Sequence, residues 1–332
     1  MQMTGKHFSK LSVLIAGCGS IGKRHGDVLS SLGLGKISAC DPIEGARKAM
    51  VELHPDFVLY DDYDKALKEG GFDAVFITSP TGMHLGMIEK AIYAGCNVFV
   101  EKPLANTSEG VDHIKALAEE KNLKIMVGFC FRYHEVLLKA KKIIESGRIG
   151  RLVNICAHMG EPFAEIQPNY MNMYYSKYSG AFELVHDLDL AIWFSDQNVT
   201  EVYSVYGSFS DMGMQSPDSI ELLLKFEDRM ATNVHLNFYQ HPRTRKIDLL
   251  GVNGMVSVEF ASWDEATLSV WATDTKQWEN NTFPTKRNDM FRDEDTEFLN
   301  AIIGNGQIVC TIDEALKSLS VIEQVYKPEN IH

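Results

Sequence analysis

The stretch from Leu11 to Asp41 limits the fold of this chain more than any other. The run Leu11-Ser-Val-Leu-Ile-Ala16 is apolar and of strand length, and it passes directly into Gly17-Cys-Gly19-Ser20-Ile21-Gly22. A helix-period pattern follows at Ile21, His25, Val28, Leu29 and Leu32. Strand, glycine turn and helix in that order present backbone N–H groups and the positive end of a helix dipole, which together hold phosphates. Gly17 suits the tight turn off the strand, Gly19 the close approach of a pyrophosphate, and Gly22 the packing of helix on sheet. A second apolar run, Ile37-Ser-Ala-Cys40, ends in Asp41, at the distance where a dinucleotide-binding Rossmann fingerprint carries the acid for the ribose hydroxyls. An acid there repels a 2′-phosphate, and no Arg or Lys follows until Arg47, so the expected cofactor is NAD in preference to NADP. The rival reading, a glycine-rich loop and nothing more, does not account for strand, helix and acid all falling in place.

The grammar continues to about residue 128. Helix patterns at Pro42 to Leu53, Tyr63 to Leu67, Met83 to Ala94 and Ser108 to Glu120 alternate with strand-like runs at Val58 to Tyr60, Asp73 to Thr78, Asn97 to Val100 and Lys124 to Gly128. That alternation predicts a doubly wound parallel α/β sheet over residues 1–128. A different pattern then begins. After a helix at Glu135 to Ser146, the segment Leu152 to Met159 alternates with a period of two. Further strands are expected at Val202 to Phe209, Ser219 to Phe226, Ala231 to Tyr239, Lys246 to Gly251 and Met255 to Phe260, with Asn253-Gly254 as a hairpin signal. The tail reads as helices at Asp295 to Ile303 and Asp313 to Tyr326. Residues 129–332 are therefore expected to form an α+β domain: a large, mostly antiparallel open sheet with helices on one face. Its uncovered face is a natural subunit interface, which makes a homodimer or homotetramer the expected assembly.

At 332 residues, two domains are the natural division. A net charge of −13 argues against nucleic acid or an anionic membrane as partner, and leaves open how a negative substrate would be drawn in. The six cysteines form no CxxC pair and read as small buried hydrophobes, with neither disulfides nor zinc expected. Met1 to Lys10 holds no apolar signal core and no run reaches membrane-spanning length, so a cytoplasmic location is expected.

Ligands of open α/β sheets bind outside the carboxyl ends of the strands. Three such exits supply the expected cofactor contacts: Gly17, Gly19, Ser20, Ile21 and Gly22 with Asp41; Ser79, Pro80 and Thr81 with His84; and Glu101 with Lys102. Lys102 is the most telling, because it leaves a buried strand and is followed by Pro103. A second candidate segment runs from Gly180 to Trp193. If helical, it puts Glu183, His186 and Asp189 or Leu190 on one face, a histidine with a carboxylate one turn to either side, equipped to carry a proton. The plainer reading is a helix start with capping acids and a hydrogen-bonded histidine. Glu183 and His186 also invite a metal, but no third ligand is evident and none is expected.

Taken together, Gly17 to Gly22 with Arg24-His25, Pro80-Thr81 with His84, Glu101-Lys102-Pro103, Gly128 to His134, Gly147-Arg-Ile-Gly150 and the Glu183 to Trp193 segment resemble the Gfo/Idh/MocA oxidoreductases, the glucose-fructose oxidoreductase and inositol dehydrogenase family. The likeness runs in order along nearly the whole chain. It implies a nicotinamide-dependent dehydrogenase or reductase acting on the CH–OH group of a sugar, cyclitol or sugar nucleotide. Lys102 and His186 would be its catalytic pair, and Asp189 matches an acid three residues after the histidine. Glu183 departs from an Asp often found four residues before it. That shorter spacing, and the segment His235-Leu-Asn-Phe-Tyr-Gln240, look like the branch found beside surface-polysaccharide pathways. On this reading His186 moves the proton and Lys102 stabilises charge on the reacting oxygen. Arg132, Tyr133, His158, Tyr170, Tyr174 and Tyr175, with His186, are the expected substrate contacts. The alternatives are an NAD-dependent glycosidase with transient redox, and a sensor of NAD or sugar without catalysis.

Overall fold

A computed structural model describes residues 8–173 and 180–326. The first sheet follows from four short runs that are apolar on both faces: β1 (Ser12–Ala16), β4 (Ala74–Ile77), β5 (Asn97–Glu101) and β6 (Ile125–Gly128) are buried almost end to end. Strand β2 (Lys36–Cys40), beside β1, and the edge strand β3 (Val58–Tyr60) complete a parallel sheet in the order β3-β2-β1-β4-β5-β6. Helices α1 (Ser20–Ser31), α2 (Glu44–Leu53), α3 (Tyr63–Gly70), α4 (His84–Tyr93) and α5 (Val111–Glu120) make the crossovers. Chain order reverses between β1 and β4, the topological switch point at which such sheets bind ligands.

Helix α6 (Glu135–Glu145) leads into the second sheet, whose first strand is β7 (Leu152–Pro162). Short helices α7 (Phe163–Ile166) and α8 (Tyr170–Met173) follow, then α9 (His186–Ser195). The remaining strands are β8 (Val199–Gly207), β9 (Ser219–Phe226), β10 (Ala231–Asn237), β11 (Tyr239–Gly251), β12 (Gly254–Phe260), β13 (Glu265–Ala272) and β14 (Trp278–Pro284). The eight strands order as β14-β13-β12-β11-β7-β10-β9-β8, with β10 parallel to β7 and every other pair antiparallel. Alternation sorts the faces: Ile155, Ala157 and Met159 of β7 are buried on the side where α9 packs, while Asn154, Cys156 and His158 share the other. On that second face the register aligns Tyr203 with Leu223, and both are more than half exposed.

Three expectations change. Strands β13 and β14 lie beyond Phe260, the end of the last strand expected from the pattern; β14 is an exposed, polar edge strand with little apolar signal. The β11–β12 hairpin forms, but Gly251 pairs with Gly254, so Val252 and Asn253 make the turn and neither has positive φ. Gly254 serves close approach instead, since a Cβ there would lie 2.2 Å from the Trp271 carbonyl oxygen. Finally, residues 129–332 do not hold together as one unit. Among the described residues, one compact unit takes in 8–130 with 288–319, and the other those of 131–287 with 320–326. The reason lies in α10 (Arg287–Ile302), which buries Phe291, Phe298 and Leu299 to 3% exposure or less. Phe298 packs edge-on against Phe76 of β4 and Phe99 of β5, at 5.4 and 5.8 Å between centroids. Each buried ring contributes roughly 1.5–3 kcal/mol, which ties α10 to the first sheet. Helix α11 (Ile312–Val325) follows it back as far as Leu319.

Candidate active site

The glycine turn sits at the switch point. Gly17 has φ +120°, and a Cβ on it would lie 2.7 Å from the Thr78 carbonyl oxygen; a Cβ on Gly22 would lie 1.9 Å from Gly17 O. Both positions therefore exclude any side chain. Gly19, by contrast, has nothing within 4 Å of a Cβ position, and no side chain caps α1 behind it. An exposed, uncapped helix start at Gly19 and Ser20 is a cradle that fits a pyrophosphate. Ile21 is half-buried behind that start. Thr78, the first residue of the β4 exit, ties the turn to β4 by donating its hydroxyl to Gly17 O at 2.8 Å.

Asp41 ends β2 with its carboxylate held by two backbone donors, Cys18 N–H and Ile43 N–H, each at 2.8 Å. Arg47 donates to the Asp41 carbonyl at 2.6 Å. The acid is thus fixed beside the phosphate cradle, with a guanidinium close behind. If Asp41 holds a ribose diol, Asp41→Ser replaces its charged acceptor by a neutral, shorter one, so NAD should bind about 10 to 100-fold more weakly, on the 1.5–3 kcal/mol of a charged hydrogen bond. NADP binding should strengthen at the same time, because the repulsion goes and Arg47 stays. Titration of the variant with each nucleotide checks this, and an unchanged preference would remove Asp41 from the ribose site.

The other two exits are braced more than they are open. Ser79, Pro80 and Thr81 lie at the surface of the β4 exit, but His84 is 1% exposed, with Nδ1 2.9 Å from Pro103 O and Nε2 2.9 Å from Ser79 O. Burial pushes its pKa below the ordinary value although both carbonyls pull it up. His84, expected at the cofactor, is a strut joining two strand exits. Glu101 likewise turns inward: it is 8% exposed, and Oε1 lies 3.2 Å from His25 Nε2 while Oε2 accepts the Lys102 backbone N–H at 3.2 Å. Lys102 itself is half-buried at the strand exit. His25, read from sequence only as part of an apolar helix face, is fully buried, and its Nδ1 contacts Asp295 of α10 at 2.9 Å. Burial disfavours its cation, but Asp295 and Glu101 outweigh that and raise the pKa to about 10.

In the second unit the single helix expected from Glu183 to Trp193 is broken. Gly180–Leu184 is a 3-10 turn, Val185 precedes the helix, and α9 begins at His186. Glu183 thus belongs to a different element from the histidine. Asp189 gives both oxygens to Arg132, at 2.8 Å from Nε and 2.7 Å from Nη2, and the pair is 2% exposed on each side. The expected substrate arginine and the expected catalytic acid are therefore partners. Removing either partner of such a buried pair is strongly destabilising, because the other charge is left uncompensated. His186 is half-buried and packs against Phe131, 5.0 Å between ring centroids. Its neighbour Asp187 meets Arg245 at 3.0 Å.

The other expected substrate contacts scatter. Tyr133 is half-buried on the 3-10 turn Cys130–Tyr133. Tyr170 donates its hydroxyl to Met212 O at 2.9 Å and packs on the cluster of Phe163, Met214 and Phe238. His158 is on the face of the sheet opposite α9, 2.6 Å from Gln240 Oε1 and with its ring tilted against that of His235, 4.7 Å between centroids, so a layer of backbone separates it from His186. Tyr174 and Tyr175 lie outside the described residues. Five cysteines are buried and Cys156 half-buried. Burial pushes the Cys18 and Cys40 thiols up to about 12, which leaves them unreactive. Among the described residues no helix is long and apolar enough to cross a membrane.

Comparison with known proteins agrees with this layout. The model of the oxidoreductase family with an NAD-binding Rossmann fold matches residues 11–129, and that of the GFO/IDH/MocA C-terminal domain matches residues 137–257. An uncharacterised oxidoreductase of Bacillus subtilis is 28% identical over 316 residues, 92% of this chain and 90% of its own. An inositol 2-dehydrogenase/D-chiro-inositol 3-dehydrogenase of Lacticaseibacillus casei is 28% identical over 253 residues, 74% of this chain and 71% of its own. The solved structure of a UDP-N-acetylglucosamine 3-dehydrogenase from Acidithiobacillus ferrooxidans superposes with a TM-score of 0.78 at 21% identity, covering 95% of each chain. With the nucleotide cradle in one unit, the matching C-terminal domain in the other and both family models in register, the chain belongs to the Gfo/Idh/MocA family and is an NAD-dependent oxidoreductase.

Proposed function

We propose that the enzyme transfers a hydride between NAD and a hydroxyl-bearing carbon of a sugar, cyclitol or sugar nucleotide. The observation that carries this reading is the glycine turn: side-chain-free at Gly17 and Gly22, open at Gly19, and flanked by the anchored carboxylate of Asp41. Bound there, NAD supplies the hydride acceptor. Gly19 and Ser20 would hold its pyrophosphate and Asp41 its ribose. Lys102 would stabilise negative charge developing on the substrate oxygen, and His186 would carry the proton of that oxygen. Asp189 and Arg132 would act through one another, fixing the turn and helix that carry His186. The relatives named above as inositol and UDP-sugar dehydrogenases support a polyhydroxylated substrate. We also propose a homodimer or homotetramer that covers the face bearing Tyr203 and Leu223, with the mass in solution, set against 37.3 kDa per chain, as its measure.

Incubation with NAD and a panel of cyclitols, free sugars and nucleotide sugars, followed at the NADH absorbance, tests the reaction. Stoichiometric NADH with at least one compound is expected. Sugar cleavage without net NADH would replace this reading by the transient-redox glycosidase, and NAD binding without turnover of any compound would leave a sensor.

A further inference from the structure

A cluster of arginines lies beside His186, on the helix-covered face of the second sheet. Arg245 of β11 is 3% exposed, sits 4.1 Å over the Phe131 ring, and meets Asp187 through Nη2 alone. Its Nε and Nη1 are buried with no hydrogen-bond partner among the described residues. Two residues along the strand, Arg243 lies 4.7 Å over the Trp263 ring, and Arg287 lies 3.9 Å over the same ring. Arg243 Nε is paired with Glu161 Oε2 at 3.4 Å, without hydrogen-bond geometry. Burial, and then repulsion from Arg245, holds the Arg243 guanidinium below its ordinary pKa. The Phe131 ring, 5.0 Å from His186 and 6.2 Å from Trp263, connects the cluster to the proposed proton carrier.

Buried guanidinium N–H groups left unmet carry an uncompensated desolvation cost, larger for charged groups than for neutral ones, so native proteins rarely keep them without reason. In a chain of net charge −13, three arginines gathered around two aromatic rings next to His186 are unusual. A guanidinium recognises an oxyanion better than any other side chain does.

We infer that Arg243, Arg245 and Arg287 form an oxyanion subsite, and that the substrate is an acidic sugar whose carboxylate or phosphate docks there while its hydroxyl faces His186. This deepens the dehydrogenase reading and rests on it only for calling the ligand a substrate. The partly exposed Arg243 and Arg287 would receive the anion, and Arg245 would donate from beneath. A subsite of this kind also resolves how so acidic a protein draws in a negative ligand, since its field acts at short range where bulk charge is screened.

Calorimetric titration of the NAD-loaded enzyme with D-glucuronate, D-glucose 1-phosphate and D-glucose tests it. One of the two acids should bind at least tenfold more tightly than D-glucose, and which one identifies the anion as carboxylate or phosphate. Arg243→Gln and Arg287→Gln should each bring the favoured acid back towards the affinity of D-glucose, and Arg243→Lys should recover part of the difference. These outer positions are chosen because Arg245→Gln would strand Asp187 and endanger folding. Equal affinity for acid and neutral sugar, or an acid preference that survives both glutamine variants, overturns the subsite. If the acid preference holds but no compound reduces NAD, the anion site stands and the dehydrogenase reading falls.

Discussion

Lys102→Ala lowers kcat about a thousandfold and leaves the dissociation constant for NAD within about threefold of the parent. The expectation rests on two magnitudes: removing a preformed donor from a developing oxyanion is worth 10² to 10³ in rate, and a positioned proton carrier 10² to 10⁴. The nucleotide, meanwhile, keeps the glycine turn and Asp41, which the substitution does not touch. His186→Ala should fall by a similar factor. If both side chains serve one oxygen, the double variant should be little slower than the slower single one, because groups acting as a unit are strongly non-additive. Steady-state kinetics and nucleotide titration of the three variants decide it. A kcat within tenfold of the parent for Lys102→Ala would take the lysine out of the chemistry, and multiplicative losses in the double variant would separate the two roles.

His25→Gln is expected to destabilise the first unit by about 3–5 kcal/mol, the usual consequence of removing one partner of a buried ion pair, and so to lower its melting temperature by roughly 10 °C. Glu101, Glu294 and Asp295 would be left buried without their cation. Glu294 already lacks a hydrogen-bond partner for either oxygen among the described residues, and burial, with Glu101 and Asp295 nearby, pushes its pKa well up. The sign of the pH dependence follows from His25. Its folded pKa of about 10 exceeds the ordinary 6.5, so its contribution is complete below about pH 6.5 and is lost as pH rises towards 10. Asp295 and Glu294, whose pKa values are raised, act in the same sense: their neutral forms are favoured by folding, and stability falls as pH climbs through their folded values. The gap in melting temperature between parent and variant should therefore be widest at about pH 6.5 and narrow by pH 10. A constant gap across that range would show that His25 is held neutral and packs only as a ring, against Phe76, Phe99 and Phe291.

Much of the first sheet and its ligand edge was legible in the residues alone, because the signals are local. Apolar runs of strand length, glycines where no Cβ fits, and an acid at the end of the next strand are all set by constraints acting within a few residues of one another. The even alternation on β7 was legible for the same reason, and it also told which residues share a face with His158. What it could not tell was on which side of that sheet the helix bearing His186 would pack. Side-chain pairing was equally out of reach. Asp189 is answered by an arginine 57 positions earlier, and His25 by an acid 270 positions later. Nothing in the spacing of Glu183, His186 and Asp189 announces that Val185 interrupts the helix or that Arg132 takes the acid. The sequence by itself thus determined the nucleotide cradle, the family and the two kinds of sheet. Tertiary structure alone decided that Glu101 and His84 brace the lysine strand from within, that α10 belongs to the first sheet, and that Arg245 keeps buried N–H groups beside His186. Those outcomes depend on which distant surfaces exclude water together, a property of the packed whole that no local pattern carries.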